Sequence, residues 1–353
     1  MKLTDNALIE EYSAFLESHL RSHLLQSYEW GKVKSGWINE FVIVRGEDGK
    51  IKASLSILLR KVPMLPFYFM YAPRGPVCDL HSKEELAALT KGAKEIAQKY
   101  GAITIKIDTD TLISDTEYIE NMKGLGYSVN SSYANLEGVQ ARFVIRVDLE
   151  GKTEEQLLEN CYHKTRYNIR LAQKKGVKIV AGTREDIPIF FELMKETGKR
   201  DGFVIRDIDY FYKLHDCLGE KHFRLFLAYV NDVCVSGTVA GFYGNKCLYL
   251  YGASGNEFRN YMPNYLIQWH MLLFSKEAGC TIYDLRGVPG IIEDENNPIY
   301  GLYRFKKGFG GEVCEFAGEF DLIFKPFWFW AITTAEKMRK TLRKKISRMK
   351  KGK

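Results

Sequence analysis

The pattern of hydrophobic and polar positions changes repeatedly along the chain between the period of a helix and the period of a strand. Residues 5–23 carry apolar side chains every three to four positions, which predicts an amphipathic helix. Two β-rich runs within residues 41–62 flank a turn sequence at 47–49, which predicts a β-hairpin. Residues 82–101 predict a second helix, and residues 102–110, directly after it, predict a strand.

The remainder of the chain continues this alternation. The predicted elements are a strand at 141–149, helices at 153–176, 185–202 and 207–219, a three-stranded meander at 223–255, a helix at 263–280 and a strand at 281–290. Residues 82–110 and residues 263–290 each contain a helix followed by a strand, which indicates an α+β fold built from two similar units in tandem. The helices of the second part are short, so no long coiled-coil arm is predicted there.

Length and composition are those of an ordinary globular protein. A chain of 353 residues is long enough for two domains, and 27% charged residues argue against a disordered chain. Asp5 and Glu10 are incompatible with a signal peptide, and no apolar run is long enough to predict a membrane-spanning helix. The seven cysteines include no CxxC pair, so neither a zinc site nor a disulfide framework is indicated. We therefore expect a cytoplasmic protein with reduced cysteines.

Positive charge is concentrated at the C-terminal end. The formal net charge is +7, but residues 336–353, the basic tail, carry ten Lys or Arg and one Glu, so the rest of the chain is close to neutral. Apolar residues recur in this tail every three to four positions, at Met338, Leu342, Ile346 and Met349. Such a helix, following the aromatic residues 327–330, is typical of an interfacial helix on anionic lipid at the inner face of the plasma membrane. Binding of tRNA phosphates and a solvated chain end are the alternatives.

The motifs HExxH, GxxxxGK[ST] and GxGxxG are absent, which argues against a zinc protease, an NTPase or a dinucleotide enzyme. Basic and aromatic residues recur instead at loops and at element ends. Lys32 and Lys34 lie in a segment rich in tryptophan, and Arg74 lies in a stretch that proline and glycine make irregular. Arg206 precedes a predicted helix that contains Tyr210.

Six segments follow one another along nearly the whole chain. They are SYEWGKVK at 27–34, YAPRGPV at 71–77, KTRYNIRLAQKKGV at 164–177, YLYGASG at 249–255, PNYLIQW at 263–269 and LYRFKKGFGG at 302–311. In order and spacing they resemble the FemABX family, the aminoacyl-tRNA-dependent transferases that build peptidoglycan cross-bridges. The chain is similar to the compact kind of member, which has no coiled-coil arm.

This resemblance implies two tandem acetyltransferase-like (GNAT-like) domains. The first, at 1–146 and completed by 317–335, would bind the acceptor, and the second would span 147–316. The implied reaction moves an amino acid from the 3′ ester of aminoacyl-tRNA to a stem-peptide amine. The acceptor is carried on UDP-MurNAc-pentapeptide or on lipid II. The resemblance implies a monomer with no metal, no coenzyme A and no cofactor besides the aminoacyl-tRNA co-substrate.

The family also implies residue roles. By position, Lys34 and Arg206 would hold the pyrophosphate of the acceptor, with Tyr210 adding a contact. An Arg with planar donors and a mobile Lys suit a diphosphate. Lys32 is the alternative to Lys34, and a salt bridge at the start of the helix is the alternative role for Arg206. Arg74 is a further candidate for substrate binding.

The remaining candidates concern the transfer itself. A Phe-Lys pair of the family resembles Phe305 and Lys306, where the Lys would face the oxyanion of the ester, although Lys307 adjoins it. Asp108 and Glu319 match acidic positions around the acceptor peptide, where either could bind the amine or accept its proton. Residues that alternate on a strand share one side of it, so the candidate channel residues Tyr249 and Tyr251 are expected to face the same way, with packing as the alternative role.

Two other functions fit parts of the sequence. An acyl-CoA-dependent N-acyltransferase would share the fold, but its pyrophosphate loop [QR]xxGx[GA] is matched only in part at 305–310, where the leading Gln or Arg is missing. A non-catalytic adaptor for RNA or membrane would explain the basic tail. An assay with charged tRNA and acetyl-CoA as alternative donors discriminates among these two functions and the transferase that the resemblance implies, since the adaptor would use neither donor.

Overall fold

The computed structural model describes residues 1–132, 138–290, 295, 297 and 299–351, without the side chains of Lys337 and of 340–351. The first part contains helices α1 (Asn6–Ser18), α2 (Tyr28–Val33), α3 (Lys83–Tyr100) and α4 (Thr116–Gly124), and strands β1 (Ile38–Arg45), β2 (Ile51–Lys61), β3 (Tyr68–Pro73), β4 (Ala102–Asp108) and β5 (Ser128–Asn130). The helices that follow are α5 (Glu154–Asn160), α6 (His163–Lys174), α7 (Ile187–Asp201), α8 (Ile208–His222), α9 (Pro263–Glu277), α10 (Tyr300–Lys307) and α11 (Pro326–Lys351). The strands that follow are β6 (Phe143–Asp148), β7 (Lys178–Gly182), β8 (Phe223–Val230), β9 (Val233–Tyr243), β10 (Lys246–Ser254), β11 (Ile282–Gly287), β12 (Glu312–Glu315) and β13 (Glu319–Ile323).

These strands form two sheets. The first has the order β1-β2-β3-β4-β13-β5, and the second has the order β12-β6-β11-β10-β9-β8-β7. In each sheet one pair is parallel, β3 with β4 and β10 with β11, and a helix crosses between its two strands. This repetition confirms the predicted α+β fold of two similar units.

The sheets also show where the chain passes from one unit to the other. Strand β13 pairs with β4 and with β5, so a late segment completes the first sheet. Strand β6 pairs with β11 and β12 of the second sheet. The predicted boundary after residue 146 therefore falls inside a strand of the second sheet, and the change of sheet comes before Phe143.

Local sequence signals place several helix ends. The Ser82 side chain accepts a hydrogen bond from the Glu85 amide, and Gly101 ends α3 in the left-handed conformation that glycine adopts without strain. The single helix predicted at 153–176 is wrong, because Cys161 and Tyr162 have extended backbones between α5 and α6. The Tyr162 amide donates to the carbonyl of Gly308 at 2.8 Å, which ties this break to the end of α10.

A shared core holds the two units side by side. Tyr12 and Leu16 of α1 belong to the same buried cluster as Phe190 of α7 and Leu214 of α8. Within the described ranges 143–290 and 299–316, the longest helices have 15 residues, in agreement with the predicted lack of a long arm. Among the described residues, no helix has the length and apolar character needed to cross a membrane.

The second sheet has an opening beside β10. Strands β10 and β11 pair only through Lys246–Leu248 and Ile282–Asp284. The later residues of β10 continue to pair with β9, with an irregularity between Tyr249 and Tyr251. The side of β10 that faces β11 is therefore left unpaired over these residues, and a side chain from another element can enter there.

Candidate active site

One predicted residue, Arg74, and one that was not predicted, Arg286, lie where the two units meet. Arg74 follows β3 and Arg286 lies on β11, and both donate to the segment between the two sheets. Arg74 Nη2 lies 2.7 Å from the carbonyl oxygen of Ala141, and Arg286 Nη2 lies 2.7 Å from Oε1 of Gln140. Burial and the nearby guanidinium of Arg74 lower the pKa of Arg286. Two cations from different units therefore share one buried region.

A second group, the cation–phenol cluster, consists of Lys34, Arg206, Tyr210 and Tyr251. The Lys34 Nζ lies 4.8 Å from the ring centroid of Trp30 and 5.3 Å from that of Tyr210. The Arg206 guanidinium lies 5.3 Å from the same Tyr210 ring. The Tyr251 hydroxyl donates to the Tyr210 hydroxyl at 3.2 Å. The structure thus brings together three residues predicted to hold the acceptor and one predicted to line its channel.

The electrostatics of this cluster favour an anion. Burial, and then the charge of Arg206, lower the pKa of Lys34 to about 8. Among the described residues, no carboxylate forms an ion pair with Lys34 or Arg206. Asp207 instead caps α8 by accepting from the Tyr210 amide at 2.9 Å. Lys32 lies over the Tyr28 ring, so Lys34 is the lysine that belongs to the cluster.

Asp108 is a buried carboxylic acid at the end of β4. One carboxylate oxygen accepts from the Tyr71 hydroxyl, and the other accepts from the Arg74 amide at 2.8 Å. Burial raises the pKa of Asp108 to about 6, although Arg74 and Tyr71 act in the opposite direction. A carboxyl with this pKa can exchange a proton near neutral pH.

Glu319 lies directly opposite Asp108 in the pairing of β13 with β4. Its two oxygens already have partners, the Lys106 ammonium at 2.6 Å and the Val139 amide at 2.9 Å. The Glu319 charge also adds to the raised pKa of Asp108. Both carboxyl groups accept two hydrogen bonds, but Glu319 is held in an ion pair with Lys106 whereas burial raises the pKa of Asp108 to about 6, so Asp108 is the better placed of the two for proton transfer.

Arg74 is buried and makes contacts within the protein. Besides Ala141, it donates to the carbonyl of Thr109 at 3.2 Å, and its guanidinium lies 4.5 Å from the centroid of the Phe316 ring. Its backbone has a positive φ of 57° just before the cis bond between Gly75 and Pro76. These contacts join the first unit to residues 141 and 316, while the predicted role of Arg74 in substrate binding stays a prediction.

Lys306 enters the opening beside β10. Its Nζ donates to the carbonyl of Gly287 at 2.8 Å and lies 5.7 Å from the Tyr249 ring centroid, so it reaches both strands that border the opening. Burial, together with the charge of Arg286, lowers the pKa of Lys306 to about 7, against the opposite effect of Asp284. Phe305, by contrast, packs edge-on against Tyr265 with 5.1 Å between centroids.

The expectation that Tyr249 and Tyr251 face the same side of their strand is wrong. The register of β10 against β9 shifts between them, so that Tyr249 lies opposite Ala240 and Tyr251 lies opposite Val239. Tyr249 packs on the core of the second unit, whereas Tyr251 packs on the core shared by both units. The bulge thereby sends one tyrosine to Lys306 and the other to the cation–phenol cluster.

A buried ionic network lies behind the site and was not predicted from the sequence. Arg146 donates to Asp284 at 2.9 Å and also to Asp110, and Lys246 donates to Asp110 at 2.9 Å. Burial alone would raise the pKa of Asp110, but Arg146 and Lys246 hold it well below its usual range. These four residues come from four separate segments, so no local motif announces them.

Comparisons with known proteins fit this geometry. The FemAB family model matches residues 8–232 and 231–337. A lipid II:glycine glycyltransferase of Staphylococcus epidermidis (strain RP62A) is 31% identical over 418 aligned positions, which cover 99% of each chain. This chain has 353 residues, so at least 65 of those positions belong to the relative alone.

Solved structures agree. A crystal structure of FemX aligns with a TM-score of 0.87 at 31% identity, covering 94% of this chain and 99% of that one. A tandem GNAT protein from the clavulanic acid biosynthesis pathway aligns with a TM-score of 0.53 at 11% identity, over 92% of this chain and 97% of that one. The fold is therefore that of two tandem GNAT-like units. The chain belongs to the FemAB family.

Proposed function

We propose that this protein is an aminoacyltransferase of peptidoglycan bridge assembly. It moves an amino acid from aminoacyl-tRNA to a stem-peptide amine of a lipid-linked precursor. The observation that carries this proposal is the cation–phenol cluster, in which Lys34 and Arg206 each lie 5.3 Å from the centroid of the Tyr210 ring and pair with no carboxylate within the described part of the chain. Two cations held this close favour a ligand with more than one negative charge.

A pyrophosphate is the ligand class that suits the cluster. Arg206 offers planar donors that match two phosphate oxygens, and Lys34 offers a mobile point charge. Both the UDP-linked and the lipid-linked precursor carry this group. The lipid-linked form is favoured because relatives whose alignments cover 99% and 89% of this chain are named lipid II:glycine glycyltransferases. Glycine is, by the same similarity, the first donor amino acid to test.

Lys306 supports the proposed transfer step. The amine nitrogen attacks the ester carbonyl carbon, and the carbonyl oxygen gains negative charge near the Lys306 ammonium. The bond to the 3′ oxygen of the tRNA then breaks, and that oxygen takes up a proton as the tRNA leaves. The ester is itself an activated acyl donor, so we propose aminoacyl-tRNA as the co-substrate and no metal, coenzyme A or other cofactor.

Asp108 supports the proposed proton transfer. The stem-peptide amine must lose a proton before it can attack, and a carboxylate with a pKa of about 6 is ionised at pH 7 yet able to accept that proton. Since the donor ester is already activated, positioning of the two substrates contributes much of the remaining rate enhancement.

The proposed location is the cytoplasm, with the basic tail on the anionic inner face of the plasma membrane. Helix α11 runs to Lys351 and so includes nearly all of this tail, but the side chains of Leu342, Ile346 and Met349 lie outside the described part of the structure. A monomer is proposed, since one chain supplies all the site residues considered above.

The deciding experiment supplies lipid II and UDP-MurNAc-pentapeptide separately to the protein with a panel of charged tRNAs, and with acetyl-CoA as a control donor. We expect mass spectrometry to find one added amino acid on lipid II, and none of the acetylated product. Transfer from acetyl-CoA, or binding of acceptor and tRNA without transfer, would overturn the proposal in favour of an acyl-CoA transferase or an adaptor.

A further inference from the structure

Three large apolar side chains project from one end of the first sheet. Met64, in the loop between β2 and β3, is 101% exposed, and Phe327 and Trp330, in the first turns of α11, are 68% and 64% exposed. The two segments touch through Phe67 and Trp328, whose ring centroids lie 5.0 Å apart. Met64, Phe327 and Trp330 are called the insertion patch below.

The loop holds Met64 in the solvent. The Val62 amide donates to the carbonyl of Phe67 at 2.8 Å, and Pro63 and Pro66 restrict the backbone between them. Met64 has a φ of 62°, a left-handed conformation that is uncommon for a residue other than glycine. The loop therefore presents Met64 at its tip outside the core, where the side chain is available to contact another surface.

The helical part of the patch continues toward the basic tail. Phe327, Trp330 and the 59% exposed Met338 are spaced by three and eight residues, which places them on one face of α11. The apolar positions 342, 346 and 349 of the tail continue the same spacing in the sequence. A helix of 26 residues extends about 39 Å, so this face is long and narrow.

The charges around the patch select its partner. Residues 60–67 and 323–335 include Arg60, Lys61 and Lys325 and no Asp or Glu, and the basic tail follows directly. Exposed apolar rings beside cations match the boundary between lipid headgroups and acyl chains. We infer that the insertion patch docks the protein on an anionic membrane, as a second contact besides the basic tail.

A series of contacts leads from Arg60, four residues before Met64, to the cation–phenol cluster. The Arg60 guanidinium lies 5.7 Å from the ring centroid of Trp37, and the Trp37 amide donates to the carbonyl of Lys34 at 2.8 Å. Strand β3 leads away from the patch over six residues, roughly 20 Å, toward Arg74. If the proposed function holds, docking leaves the pyrophosphate of a lipid-linked acceptor near the membrane and directs its peptide toward Asp108.

Flotation of the full chain with vesicles tests this inference. The vesicles contain equal parts of phosphatidylglycerol and phosphatidylcholine, with pure phosphatidylcholine as the neutral comparison. We expect the double variant Met64→Glu, Trp330→Glu to partition about tenfold more weakly than the unmodified protein, with its basic tail intact. Leu20→Glu is the matched control, because Leu20 is 78% exposed just beyond the end of α1 and lies outside the patch.

A second readout reports insertion directly. Brominated acyl chains should quench the tryptophan fluorescence of the bound protein, and Trp330→Phe should reduce that quenching while preserving partitioning. Unchanged partitioning of the double variant would overturn the inference. The inference would also fail if the double variant bound vesicles normally but lost tRNA binding, or if its only change were that a dimer dissociated. Transfer to detergent-solubilised lipid II is assayed in parallel. Inactivity of the unmodified protein and of every variant there would reject the proposed function and leave the vesicle result to stand alone.

Discussion

Substitution of Lys306 by methionine should separate activity from stability. Methionine keeps much of the volume of lysine but removes the ammonium that we place at the developing oxyanion. We expect turnover to fall by well over tenfold, and more than 100-fold is in the range known for a lost oxyanion donor. A lysine that served only the Gly287 carbonyl would, if replaced, affect stability and leave turnover intact.

The magnitude of the stability change follows from the pKa. Lys306 has a pKa of about 7 in the folded protein, lowered from 10.5, so the unfolded chain binds more protons between these values and stability rises with pH there. Folding requires this amine to give up the proton that it carries in the unfolded chain, which costs about 3 kcal/mol at pH 8 and about 1.4 kcal/mol at pH 9.5. The Lys306→Met substitution removes this cost. It also leaves the Gly287 carbonyl without its hydrogen-bond donor, which destabilises the variant by about 1–3 kcal/mol.

The assay compares urea unfolding of the Lys306→Met variant and the unmodified protein at pH 8 and at pH 9.5. The loss of the Gly287 hydrogen bond is the same at both values, so it cancels in the comparison. The unfolding free energy of the variant minus that of the unmodified protein should therefore be about 2 kcal/mol more positive at pH 8 than at pH 9.5. Lys307→Met is the control for turnover, because Lys307 is half-buried and donates to Gly311 in a similar way.

Two results would refute this reasoning. Near-normal turnover of Lys306→Met would remove the proposed oxyanion role. An equal stability difference at both pH values would show that the lysine is not held with a lowered pKa. Loss of turnover in Lys307→Met and not in Lys306→Met would move the role by one residue.

Three further variants test the rest of the site. Arg206→Ala should raise the KM for the lipid-linked acceptor at least tenfold with little change in kcat, and an unchanged acceptor affinity would count against the pyrophosphate site. Turnover should fall below a pH of about 6 as Asp108 becomes protonated, and this acid limb should be absent in Asp108→Asn; the same limb in both proteins would contradict the proton-transfer role. Asp110→Asn should lower the unfolding free energy by about 3–5 kcal/mol, because Arg146 and Lys246 lose their shared carboxylate, and calorimetry showing no loss would reject that account.

Periodicity predicted the elements that depend on neighbouring residues. The hairpin of β1 and β2, the capped helix α3 and the meander of β8, β9 and β10 all lie where the sequence placed them. Their signals are turn residues, caps and alternation, which act within a few positions. The family resemblance supplied the pairing of distant segments, including the return of the chain to the first sheet.

Features set by long-range contacts were missed. The helix predicted at 153–176 is interrupted because the amide of Tyr162 bonds to Gly308, which lies far along the chain. The bulge that separates Tyr249 from Tyr251 depends on pairing with β9, and nothing in the alternating sequence reveals it. The positive φ of Arg286, which lies beside the site, has no sequence signal either.

The place of β13 determines the order in which the protein can be completed during synthesis. Strand β5 ends at Asn130, but β13, which fills the space between β4 and β5, begins only at Glu319. At the usual rate of translation, roughly 10–40 s pass between the two. During this interval the edge of β4 is open to pairing with other chains. The unit that leaves the ribosome first is thus the one finished last, and the second unit must fold beside an incomplete neighbour.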